Sequence, residues 1–144
     1  MGVFEIARTV RADRARVFDV VSDFRRHGDY IPLTTMVTDD GPAGAGWRFT
    51  GRSGIGPLVL VDRMEITAWE PDRFFRIDKR GPVLDGWAEA RLSDDGPHTR
   101  LVWTEEIVPR PAALGRRLAP VLDPANRWMF SRALDRMARR AEQE

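Results

Sequence analysis

Apolar residues fall at every second position through most of this chain and at every third or fourth position near its end. Phe4, Ile6, Arg8 and Val10 alternate with Glu5, Ala7 and Thr9, the signature of a strand. Asp13 then stands where it can cap a helix carrying Ala15, Val17, Phe18, Val20 and Val21. Ser22 to Tyr30 predicts a second short helix or turn, ended by Gly28 and by the extended Tyr30-Ile31-Pro32. Leu33 to Thr38 predicts a strand, closed by the turn cluster Asp39-Asp40-Gly41-Pro42-Ala43-Gly44.

A meander follows. Strands are predicted over Gly46–Arg52, Leu58–Trp69, Arg73–Arg80, Val83–Ser93 and Thr99–Val108. They are separated by Gly54-Ile55-Gly56-Pro57, Glu70-Pro71-Asp72, Gly81-Pro82 and Asp94-Asp95-Gly96-Pro97, and ended by Pro109 and Pro111. Turn signals this close together require antiparallel hairpins.

The period changes after Ala113. Leu118, Leu122, Met129, Phe130, Ala133, Leu134, Met137 and Ala141 lie along one face of a helix, with arginines mostly opposite. Pro120 and Pro124 each remove a backbone donor. The expectation is a loose or kinked first part and a continuous helix from about Pro124, with Asp123 as its N-cap. The order is strand, two short helices, six strands, long helix. A seven-stranded antiparallel sheet is apolar on one face and must cover it. Only the last helix is large enough, and a curved sheet gripping a long helix leaves space between them.

Composition narrows the picture. One domain spanning 1–144 is expected at this length, and 42% hydrophobic with 31% charged residues is ordinary for a soluble globular protein. There is no cysteine, so disulfides, thiolate metal sites and thiol nucleophiles are excluded. No apolar run approaches a membrane span. The start, MGVFEIARTV, goes directly into strand-like alternation without a signal pattern, which makes a cytoplasmic location the expectation. Net charge is +1, and Lys79 is the sole lysine among many arginines. The arginines of the last helix share it with Asp135, Glu142 and Glu144 and lack any nucleic-acid motif, so they read as a solvated face and no nucleic acid is expected.

Three stretches carry a family resemblance. Ala12-Asp13-Arg14-Ala15-Arg16-Val17-Phe18 after the first strand, the strand end Met64-Glu65-Ile66-Thr67-Ala68-Trp69-Glu70-Pro71, and the long final helix resemble the START-like helix-grip (SRPBCC) superfamily, in its polyketide cyclase/dehydrase-like branch. The resemblance spans essentially the whole chain. Its motifs describe the fold and contain no catalytic signature. It implies an α+β helix-grip fold, with a curved seven-stranded antiparallel sheet around a long C-terminal helix. It also implies a hydrophobic cavity for a lipid, polyketide, isoprenoid or aromatic metabolite.

Strand parity selects the candidate site. The inner set is Phe4, Ile6, Val10, Leu58, Leu60, Met64, Ile66, Phe75, Ile77, Ala88, Ala90, Leu92, Leu101, Trp103 and Ile107. The same parity sends Arg8, Asp62 and Glu105 inward, where a charge is costly unless paired. The first and last strands neighbour each other in this fold, so Arg8 and Glu105 are expected to pair, either structurally or as a ligand anchor. Leu60, Met64, Phe75, Trp103, Met129 and Phe130 are candidate ligand contacts, with Asn126 as a polar contact from the last helix. His27 and Tyr30 are acid–base candidates alongside Glu105, because imidazole titrates near neutrality and a phenol can orient a carbonyl. His27 sits among Arg25, Arg26 and Asp29, and is expected at the surface, as is His98 in its hairpin turn.

With two distant histidines, no metal site is expected. Gly41-x-x-Gly44-x-Gly46 and Gly51-x-x-Gly54-x-Gly56 lack the lysine and the strand–turn–helix setting of phosphate loops, so they read as hairpin turns and no nucleotide cofactor is expected. Three functions remain open. One is a carrier or sensor of a hydrophobic small molecule, as monomer or homodimer. Another is a cofactor-independent cyclase, dehydratase or aromatase. The third is a protein-interaction module using Val59, Val61 and Trp69 on the outer sheet face.

Overall fold

The computed structural model describes residues 2–143. Strand β1 (Val3–Val10) leads to helix α1 (Arg14–Val21) and a 3-10 helix over Phe24–Asp29. Six strands follow: β2 (Thr34–Thr38), β3 (Arg48–Ile55), β4 (Leu58–Glu70), β5 (Phe74–Lys79), β6 (Leu84–Asp95) and β7 (His98–Pro109). Helix α2 (Ala112–Glu142) closes the chain. The strands form one antiparallel sheet in the order β1-β7-β6-β5-β4-β3-β2, so the first strand pairs with the last. This is the expected helix-grip arrangement.

Local chemistry sets the short elements. Asp13 accepts a hydrogen bond from the Arg16 backbone N–H at 2.8 Å and so caps α1. Val17, Phe18, Val20 and Val21 bury the inner face of α1. The 3-10 helix has three residues per turn, so Phe24 and His27 share a side and point inward while Arg25 and Arg26 face water. His27 is therefore buried rather than at the surface. At Gly54, φ is +133° and a Cβ would lie 1.9 Å from the Leu58 carbonyl oxygen, so only glycine fits that point of the β3–β4 hairpin.

Two expectations about α2 and β4 need correction. The helix is continuous from Ala112, with Pro111 as its N-cap and both Pro120 and Pro124 inside it. Asp123 is not a cap; its carboxylate accepts the Gly2 backbone N–H at 3.1 Å. Each proline leaves one upstream carbonyl without its donor, and the helix tolerates this where that half is largely solvated. In β4 the pairing with β5 shifts register between Ile66 and Ala68, which flips the parity beyond the shift. Trp69 thus stands opposite Phe75 on the inner face, with its ring 5.0 Å from that of Phe18, and leaves the outer surface.

The core lies under the C-terminal half of α2 and under α1. Ala133, Leu134, Met137 and Ala141 are the buried side chains of that half, packed toward β1, β7 and α1. Phe18, Phe24, Phe75, Trp69 and Trp103 interlock through edge-to-face and stacked contacts. In the N-terminal half of α2 only Gly115 is buried. Leu58, of inner parity, is 82% exposed because the β3–β4 hairpin runs past the covering helix.

Candidate functional site

The space between the sheet and the N-terminal half of α2 is a cavity of about 400 Å³. Its wall is mostly apolar, built from residues such as Met36, Phe49, Met64, Ile77, Ala88 and Ile107 on the strands. Leu122, Asn126, Met129 and Phe130 close it from α2. Phe130 stacks against Trp103, with centroids 6.3 Å apart, where cavity gives way to core.

One polar cluster interrupts this wall. Asp62 on β4, Lys79 on β5 and Glu105 on β7 all lie on the cavity side. Lys79 Nζ lies 2.5 Å from Asp62 Oδ2 and 3.9 Å from Glu105 Oε2. Trp103 Nε1–H donates to Glu105 Oε1 at 2.8 Å from two residues along the same strand, where period two puts both on one face. Between Lys79 and Glu105 runs β6, whose Ala88 stands directly beside Glu105 and is small enough to leave the two side chains in reach. Glu105 is 2% exposed and Lys79 8%. Burial pushes the Glu105 carboxyl up to about 7, with the neighbouring Asp62 charge acting in the same direction; the Lys79 ammonium and the Trp103 N–H pull it back. Near neutral pH this group can both give and take a proton.

His27 lines the cavity from the 3-10 helix. Its Nε2 is 2.8 Å from the Val21 carbonyl oxygen, which only accepts, so that nitrogen holds the proton and Nδ1 keeps its lone pair. Burial lowers the imidazole pKa, against the opposing pull of the Val21 carbonyl and Asp23.

The expected residues divide accordingly. Leu60, Met64, Trp103, Glu105, Asn126, Met129, Phe130 and His27 line the cavity. Phe75 does not; it is fully buried in the aromatic core beside α1. Tyr30 does not either. Its hydroxyl is buried without a hydrogen-bond partner and burial raises its pKa against the nearby Arg140 charge, while its carbonyl accepts from Arg136 of α2. Arg8 and Glu105 do not pair. Register sets Arg8 opposite Leu101 and Glu105 opposite Phe4, four residues apart along the ladder. Arg8 instead donates through Nε to Asp135 Oδ1 and through Nη2 to Ser131 Oγ, each at 2.7 Å, and ties β1 to α2. Lys79 is the charged cavity-lining residue missed, although it continues the inner parity of Phe75 and Ile77.

Among the described residues no group of side chains is arranged to hold a metal ion, and no helix is long and apolar enough to cross a membrane. The family model described as polyketide cyclase / dehydrase and lipid transport matches residues 1–142. The chain belongs to this family. No curated protein matches the sequence. Among solved structures, an aromatase/cyclase named Zhui from a Streptomyces species is 18% identical, with a TM-score of 0.75 over 98% of this chain and 93% of that one. A Thermus thermophilus protein is 15% identical, with a TM-score of 0.80 over 97% of each chain. A Chromobacterium violaceum protein is 14% identical, with a TM-score of 0.73 over 99% and 98%. At these identities the likeness is one of fold. As a member of the polyketide cyclase / dehydrase and lipid transport family, the chain is a ligand-binding domain of that type.

Proposed function

We propose that the protein, as one domain over residues 1–144, binds a hydrophobic small molecule between the sheet and α2. A lipid, polyketide, isoprenoid or aromatic metabolite fits this description. The observation carrying the reading is the apolar cavity of about 400 Å³ with one polar cluster in its wall. That volume lies within the range of small-molecule sites, roughly 300–1,000 Å³. The pairing of Lys79 with Asp62 leaves the Glu105 carboxyl and the Asn126 amide to orient a ligand's hydroxyl or carbonyl. Native mass spectrometry of protein purified from its own host should show a retained apolar molecule. Displacement of a cavity dye such as anilinonaphthalene sulfonate provides the second readout. Asn126→Phe, which fills the space from α2, should weaken dye uptake without loss of folding. Dye uptake unchanged by this substitution would refute the site.

A second reading is favoured by Glu105 alone. A carboxyl held to about 7 in a dry wall beside Lys79 suits cofactor-independent cyclisation, dehydration or aromatisation of a polyketide-like substrate, where protons move between carbon and oxygen. Glu105→Gln should then retain ligand affinity and lose product formation. Turnover preserved in this variant would exclude Glu105 as the proton-transfer group, and absence of product from the wild type would leave the carrier.

A further inference from the structure

Large exposed apolar side chains are concentrated around the cavity opening. Leu60, Val83 and Leu114 line the cavity and are each about two-fifths exposed, so they mark its mouth. Beyond Leu60 the β3–β4 hairpin carries Ile55 and Leu58, exposed by 69% and 82%. Across the mouth, Leu114, Leu118, Val121, Ala125 and Trp128 recur at alternating spacings of four and three along α2, which aligns them on one side of the helix. All five are exposed, Val121 by 70% and Trp128 by 65%. At helical rise the stripe is about 21 Å long. It continues outward from Leu122, which lines the cavity itself.

Charge identifies what covers this face. Between residues 110 and 132, five arginines stand with a single acid, Asp123, in a chain whose net charge is only +1. Asp123 already accepts the Gly2 N–H, and Arg110 is paired with Asp85. Arg116, Arg117, Arg127 and Arg132 have no acidic partner among the described residues, and Arg132 lies over the Trp128 ring at 5.5 Å. At helical spacing Arg117 and Arg132 fall on the side of the stripe, while Arg116 and Arg127 point away from it. Apolar side chains with a tryptophan, flanked by Arg117 and Arg132, suit the boundary between anionic headgroups and acyl chains. A second copy suits it poorly, because pairing the stripes would bring Arg117 and Arg132 of both copies into one interface without an acid between them.

We infer that the cavity mouth docks on an anionic lipid bilayer, with the Leu114–Trp128 stripe and the Ile55/Leu58 hairpin tip in the interface. The protein lies on the bilayer and does not span it. Such docking gives an apolar ligand a path between membrane and cavity that avoids water, and only that purpose rests on the ligand-binding reading.

The full chain should sediment with vesicles of phosphatidylcholine and phosphatidylglycerol, less with phosphatidylcholine alone, and less again at high salt. Trp128→Phe should remove the blue shift in tryptophan emission on binding. Val121→Glu with Trp128→Ser, and separately Arg117→Glu with Arg132→Glu, should each lower partitioning by about tenfold while circular dichroism and melting stay unchanged. Absence of binding to the anionic vesicles, or binding indifferent to these substitutions, overturns the proposal. A concentration-dependent dimer dissolved by Val121→Glu also overturns it, in favour of a second copy as the cover. Dye uptake by the same preparation reports on the cavity independently. A protein that takes up dye but ignores vesicles therefore loses the docking inference alone.

Discussion

Glu105 keeps its proton to about pH 7 when folded, against an ordinary value of 4.5. Between these two pH values unfolding releases a proton, so rising pH favours the unfolded chain. The stabilisation is complete below pH 4.5 and is lost as pH passes through about 7; it amounts to something on the order of 3 kcal/mol. His27, whose pKa is lowered by burial, acts with the opposite sign below pH 6.5. The measurement is therefore a comparison: urea denaturation of the wild type and Glu105→Gln from pH 4.5 to 7.5 should converge at the acid end and separate above it. Lys79→Met leaves two carboxyls in the wall without their cation, and should destabilise by roughly 3 kcal/mol. Arg8 belongs to a different account. A double-mutant cycle should find about 0.5–1 kcal/mol of coupling between Arg8 and Asp135, which are partly exposed, and none between Arg8 and Glu105.

At the scale of elements, α2 is two helices in function though one in backbone. Its C-terminal half buries Leu134 and Met137 against the sheet and α1, and Met137→Asp should cost several kcal/mol, as an unpaired buried charge does. Its N-terminal half buries only Gly115 and carries two prolines that remove hydrogen bonds. Pro120→Ala, at an exposed position, should stabilise the protein by roughly 1–3 kcal/mol, checked by thermal melting. A fall in stability would mean that the proline preserves a shape the cavity needs. The register shift in β4 works on the same scale. It moves Trp69 from the solvent face to the core and removes the outer aromatic on which an interaction surface would have been built.

For the molecule as a whole, the cavity is where the sheet and the unsupported half of α2 fail to meet. A ligand that fills it binds only the folded state. Saturation at a hundredfold excess over Kd should add about 2.7 kcal/mol and raise the melting temperature. A dye that binds without shifting the melt would instead be on the surface or on unfolded chain.

The alternation of period two, the turn clusters and the late change to helical spacing were sufficient by themselves for the order of elements and the helix-grip architecture, because binary pattern and turn chemistry are local. Inward placement of Asp62 and Glu105 was legible for the same reason. The partners of those charges were not. Lys79 reaches Glu105 across an intervening strand, and Arg8 reaches Asp135 from strand to helix, contacts that depend on register and helix rotation. The burial of His27 came from a 3-10 rather than an α-helical turn, and that of Trp69 from a single shift in pairing. One residue of register reverses a face, and only the assembled sheet decides it.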